Sequence, residues 1–80
     1  MDKIRTQAQE ETPRGRILAA ILAGCHTVEA IMKNACMGYD FRTFRMTIAE
    51  LKEEGLLTYD KNQLWGEWGY YLSNKALVNL

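Results

Sequence analysis

Residues 40–57 read "DFRTFRMTIAELKEEGLL". Phe44, Ile48 and Leu51 recur at i, i+4 and i+7, which is one face of an α-helix. Asp40 offers a side-chain oxygen to cap its start, and Gly55 ends it. A helix over about residues 41–54 follows, with Arg42, Thr43, Arg45, Met46, Ala49, Lys52 and Glu53 on its outer side. Arg42 and Arg45 lie one turn apart at its beginning. Beyond Gly55 the period changes to two. "LLTYD" alternates as a strand does, "DKN" is turn chemistry, and "WGYYL" reads as a returning aromatic strand. The intervening "QLWGEWG" holds two glycines and predicts an irregular tip or bulge.

Working upstream, Thr27 is a second helix start, with Val28, Ile31, Met32 and Ala35 spaced behind it. Glu29 suits its first turn. "CMGYD" interrupts it, with Gly38 tolerating positive φ. An earlier helix opens at Thr12 as N-cap with Pro13 at the first helical position. Ile17, Leu18, Ile21 and Leu22 form its apolar stripe, and Gly24 is its stop. Residues 1–11 are polar and without period, so they read as a flexible N-terminal arm. Downstream, Ser73 is placed to cap a last short helix in "NKALVNL". The expected order is three helices and then a hairpin, an α+β and mainly helical domain over residues 12–80.

Eighty residues suit one domain, and the apolar and charged fractions of 48% and 25% are those of a globular chain. No apolar run approaches the roughly 18 residues of a membrane span. "MDKIRTQAQEETP" lacks the apolar core of a secretory signal, so a cytoplasmic location is the expectation. Cys25 and Cys36 have only His26 as a further soft ligand, so no metal site is expected; both read as half-buried free thiols.

Net charge is zero, but it is unevenly distributed. Residues 12–47 carry five cations against two carboxylates, a balance of +3; residues 48–80 carry three lysines against five carboxylates, a balance of −2. One basic face is therefore available. The lone His26 reads as a capping or packing group. Neither cysteine has a base partner, and no glycine-rich phosphate loop or acidic metal cluster appears. No catalytic residue and no cofactor is expected.

The layout resembles the winged helix-turn-helix family of small transcriptional regulators. The parts that carry the resemblance are the turn "MGYD", the helix "FRTFRMTIAE", the exit "LKEEGLL" into a first wing strand, and "YYLSNKAL" as a second wing strand running onward. Together they cover roughly residues 12–76. One departure is that Asn34, and not a small residue, stands four positions before Gly38, while Ala35 keeps the apolar phase. The second helix or its turn should then be a residue or two longer than usual.

The resemblance implies double-stranded DNA as partner. Arg42, Thr43, Arg45, Met46 and Ala49, on the outer half of the third helix, would face the major groove. A guanidinium fork pairs with guanine O6 and N7 or grips phosphate. Arg14 and Arg16 at a helix start, Lys33, and Lys61 at the wing tip would touch phosphate. Each of these cations also reads simply as solvated charge. A second reading takes the module as a protein–protein interaction domain. The wing is rich in aromatics (Trp65, Trp68, Tyr70, Tyr71) and poor in cations, so Trp65 or Trp68 would anchor a protein partner or a homodimer. Tyr71 and Leu72 are expected in the core.

Overall fold

The computed structural model describes residues 3–61 and 66–78. Among them are five helices and one hairpin: α1 (Lys3–Ala8), α2 (Pro13–Leu22), α3 (Val28–Asn34), α4 (Phe41–Glu53), β1 (Leu57–Lys61), β2 (Trp68–Leu72) and α5 (Asn74–Val78). The architecture is α+β and mainly helical, and its order is compatible with the winged-helix layout. The three expected helices are α2, α3 and α4.

Their starts are set by the expected caps. The hydroxyl of Thr12 accepts from the Gly15 amide at 3.0 Å, that of Thr27 from Ala30 at 3.2 Å, and the Asp40 carboxylate from Thr43 at 3.1 Å. Each bond satisfies one of the orphan amides of a first helical turn. The three helices also end alike. Cys25 N–H reaches back to Ala20 O at 2.9 Å, Met37 to Met32 at 3.0 Å and Leu56 to Leu51 at 2.9 Å. This is the Schellman closure, which requires a left-handed residue just beyond the cap. Gly24 (φ +98°) and Gly55 (φ +78°) fill that place in α2 and α4, but in α3 it is Cys36, at φ +56°. The thiol is therefore exposed and not half-buried as expected, because the αL backbone turns the residue outward; Cys25 is half-buried. Six residues, 35–40, separate α3 from α4, longer than the three or four of a compact helix-turn-helix.

The N-terminal segment corrects the sequence reading. Lys3–Ala8 is helical, and Ile4 is 1% exposed, inside the core formed with Ile17, Leu18, Ile31, Phe44 and Leu51. Six residues do not hold a helix by propensity, and α1 exists because it docks. Gly15 permits the docking: a Cβ there would sit 2.5 Å from the carbonyl oxygen of Gln7 and against that of Glu10. On α2, Ile17, Leu18, Ala20 and Ile21 are buried, while Leu22 faces outward.

The hairpin is antiparallel, pairing Leu57 with Leu72, Tyr59 with Tyr70 and Lys61 with Trp68 on one face, and Thr58 with Tyr71 and Asp60 with Gly69 on the other. The second edge of β2 meets the loop between α2 and α3. Tyr70 N–H donates to His26 O at 2.8 Å, and His26 Nδ1 lies 3.0 Å from Tyr70 O. A carbonyl only accepts, so the imidazole carries its proton on Nδ1 and stands in for a strand amide. Gly69 makes room, since a Cβ there would lie 2.7 Å from His26 O.

At the far end, Ser73 hydroxyl donates to Gly55 O and accepts from Ala76 N–H at 3.2 Å, capping α5 as expected. Tyr71 does not join the core: it is half-buried, stacked on His26 with centroids 4.1 Å apart. Leu72 and Tyr70 are half-buried against the core edge, and Tyr70, its ring edge-on to Phe44, is the tyrosine that packs on the core in place of Tyr71. Trp65 lies outside the described residues.

Candidate functional site

Burial of Phe44, Thr47, Ile48 and Leu51 fixes the rotation of α4, and the helical period puts Arg42, Arg45, Met46 and Ala49 on the opposite side. All four are exposed, Met46 at 58%; Thr43 lies at the margin, half-buried. Among the described residues, neither Arg42 nor Arg45 makes a hydrogen bond or ion pair. From Phe41 to Ala49 the helix carries no carboxylate. The flanking carboxylates are Glu50 and Asp40, whose Oδ1 is engaged at the cap. Accepting from Thr43 holds its acid below the ordinary carboxylate range, and the positive charge of Arg42 adds to this. The outcome is a stripe of two unpaired guanidinium groups, a thioether and a methyl, with Glu50 and Glu53 confined to the other end.

The remaining cations are dispersed. Arg14, expected at phosphate, is half-buried and paired with other side chains of the protein. Its Nη atoms grip both carboxylate oxygens of Glu54, one at 2.6 Å, and its Nε donates to Gln7 Oε1 at 2.6 Å. The hydrogen bond from Arg14 keeps Glu54 below its usual acidity range, and the same pairing raises the guanidinium. The clasp ties α2 to α1 and to the C-cap of α4. Glu54 follows Arg42 by twelve residues, about 18 Å of helix axis, so Arg14 stands at the other end of α4 from the stripe. Arg16 is exposed on α2. Lys33 lines an open hollow between α3 and the following turn with Met32, Cys36, Tyr39 and Phe41. Lys61 ends β1, exposed.

Three exposed aromatics were missed in the sequence. Tyr39 is 91% exposed beside Asp40, and Phe41 and Tyr59 are about half-exposed. Strand alternation puts Tyr59 on the face of buried Leu57, so the period predicts burial, and its exposure follows from its place farther out along the hairpin. Tyr39 and Phe41 flank a cap, where no period signals orientation. Trp68 stacks on Tyr59 with centroids 5.4 Å apart, and Tyr59 in turn lies 5.0 Å from Tyr70.

No group of three or more His, Cys, Asp or Glu side chains able to hold a metal occurs among the described residues. None of their helices is long and apolar enough to cross a membrane. Comparison with protein-family models, with curated proteins and with solved structures returned no match.

Proposed function

We propose that the chain is a winged-helix DNA-binding module acting as a transcriptional regulator, with α4 laid in the major groove of duplex DNA. The observation that carries this reading is the outer stripe of α4 from Arg42 to Ala49, which holds no carboxylate and where Arg42 and Arg45 make no hydrogen bond or ion pair among the described residues. A guanidinium left unpaired on a rigid helix is preorganised for a base edge or a phosphate. Met46 presents an apolar surface suited to a thymine methyl, and Ala49 lets the helix approach closely. Thr43, at the stripe's margin, donates to phosphate. Arg16, Lys33 and Lys61 supply outlying phosphate contacts. Arg14 serves as a brace for α4, since a phosphate would have to displace Glu54 to reach it. One module of this size buries little surface on DNA, so binding as a dimer or in tandem is expected.

The test is an amide-shift NMR titration of the labelled protein with a short duplex, at low salt and again at about 200 mM. Shifts at Arg42, Thr43 and Arg45 that fade with salt, and are lost in Arg45→Glu, support the reading. Unmoved α4 amides at low salt would overturn it. The second reading, a protein-binding module, draws on one observation: Tyr59 and Trp68 form an exposed aromatic pair on a chain of zero net charge. In that case Trp68→Ala abolishes binding to the partner and Arg45→Glu does not.

A further inference from the structure

Four aromatic rings form a ladder from the core to solvent. Phe44, 2% exposed, meets Tyr70 edge-on at 6.2 Å; Tyr70 meets Tyr59 at 5.0 Å; Tyr59 stacks on Trp68 at 5.4 Å with planes 21° apart. Exposure rises outward, to 48% at Tyr59 and 55% at Trp68. The inner end is fixed in the core, and the outer end is an indole with much of its surface open.

Charge on the hairpin is sorted by face. The pairing puts Tyr59, Lys61, Trp68 and Tyr70 on one side, and that side carries no carboxylate. Asp60 alternates to the opposite face with Gly69 and Tyr71. Glu67, next to Trp68 in the chain and outside the paired ladder, lines a hollow with His26, Thr27, Tyr71 and Trp68 itself. An open aromatic surface with a lysine on the same face, and no carboxylate among the paired residues of that face, is complementary to a flat, uncharged ring on an anionic backbone. That is the chemistry of an unstacked nucleobase, since base–aromatic stacking tolerates any sequence and a nearby cation holds the phosphate. A paired base inside a duplex does not offer its face. The wing also lacks the arginines that read a minor groove.

We infer that the wing face of Tyr59, Lys61 and Trp68 is a stacking platform for unpaired bases. The preferred ligand is then a duplex continued by a single strand, with α4 on the duplex and Trp68 on the first unpaired base. The inference rests on the reading of α4 as a duplex-binding helix.

The experiment measures fluorescence anisotropy of labelled oligonucleotides with the full chain. It compares a blunt duplex, the same duplex with a short single-stranded extension at either end, and the single strand alone. The extension is expected to tighten binding by roughly five- to ten-fold, the lower range for one stacked base. Trp68→Ala removes that gain and leaves blunt-duplex affinity unchanged, whereas Trp68→Phe retains most of it. Trp68 is exposed, and matched thermal melts check that both variants fold. Equal affinity for blunt and extended duplexes overturns the platform while the duplex reading stands. No binding to any oligonucleotide overturns both, and assigns the aromatic face to a protein partner. Binding to the single strand alone that ignores Arg45→Glu keeps the platform and overturns the α4 reading.

Discussion

His26 and Tyr70 exchange two hydrogen bonds, one from the Tyr70 amide to the His26 carbonyl at 2.8 Å and one between His26 Nδ1 and the Tyr70 carbonyl at 3.0 Å. The second uses a side chain where a strand would use its backbone. A loop residue thereby becomes a third rung beside β2 without any strand of its own, and the base of the wing is held on both edges.

Gly69 is what lets the loop come so close. Gly69→Ala should destabilise the fold by about 1–3 kcal/mol, the usual cost of forcing a methyl into occupied space. Urea unfolding followed by circular dichroism measures it. A change within about 0.5 kcal/mol, typical of an unconstrained surface site, would mean that the His26 loop yields freely.

Ile4 distinguishes a docked helix from a loose arm. Its side chain is 1% exposed among α2, α3 and α4 residues. Ile4→Ala should cost about 2–4 kcal/mol, as for other buried large-to-small changes. A melting temperature indistinguishable from that of the unaltered chain would return residues 3–8 to the status of a tail.

Cys36 holds a left-handed backbone at φ +56° in a place where helices commonly use glycine. Relief of that conformation outweighs the added chain entropy of glycine, so Cys36→Gly should stabilise by about 0.5–1 kcal/mol. Thermal denaturation under reducing conditions reads the sign directly. A lower melting temperature in Cys36→Gly would show that the thiol contributes more than the turn costs.

Acid should weaken the fold through Glu54 and Asp40. Both carboxylates lie below their ordinary range when folded, Glu54 by the Arg14 hydrogen bond and Asp40 by the Thr43 cap. The unfolded chain therefore takes up protons first, and stability falls as pH drops below roughly 4.5, through the folded-state values. Above that range the contribution is fully present. Glu54→Gln should flatten the acid limb of a stability–pH profile, and at neutral pH it should cost under about 1 kcal/mol, because the pair is partly exposed. An unchanged acid limb in that variant would assign the acid sensitivity to other carboxylates.

What could be read in the sequence is local. Thr12, Thr27 and Asp40 mark helix starts because a cap needs only its own residue and an amide three positions on. Phe44, Ile48 and Leu51 set the face of α4 by period alone, so Arg42 and Arg45 could be expected outside. What could not be read depends on partners distant in sequence. Arg14 looks like any solvated cation until Glu54, forty residues away, is brought beside it. The helicity of α1 comes from a groove built by α2. The exchange of Tyr70 for Tyr71 as the inner ring follows from register, and one residue of slip reverses every side chain of a strand. Gly38 does take the positive φ its type allows, at +60°, but the helix closes two residues earlier at Cys36, where backbone closure onto Met32, and not side-chain chemistry, sets the left-handed position.

The close approach at Gly15 also bears on how the N-terminal half tolerates sequence drift. There α1 and the turn after it meet α2 through the main-chain oxygens of Gln7 and Glu10. Main chain is common to all sequences, so this spacing does not depend on which side chains residues 7 and 10 carry. The main-chain contact itself is indifferent to the side chains at 7 and 10, although Gln7 also holds Arg14 through its amide, and it is closed to change at residue 15, which merely leaves space for it.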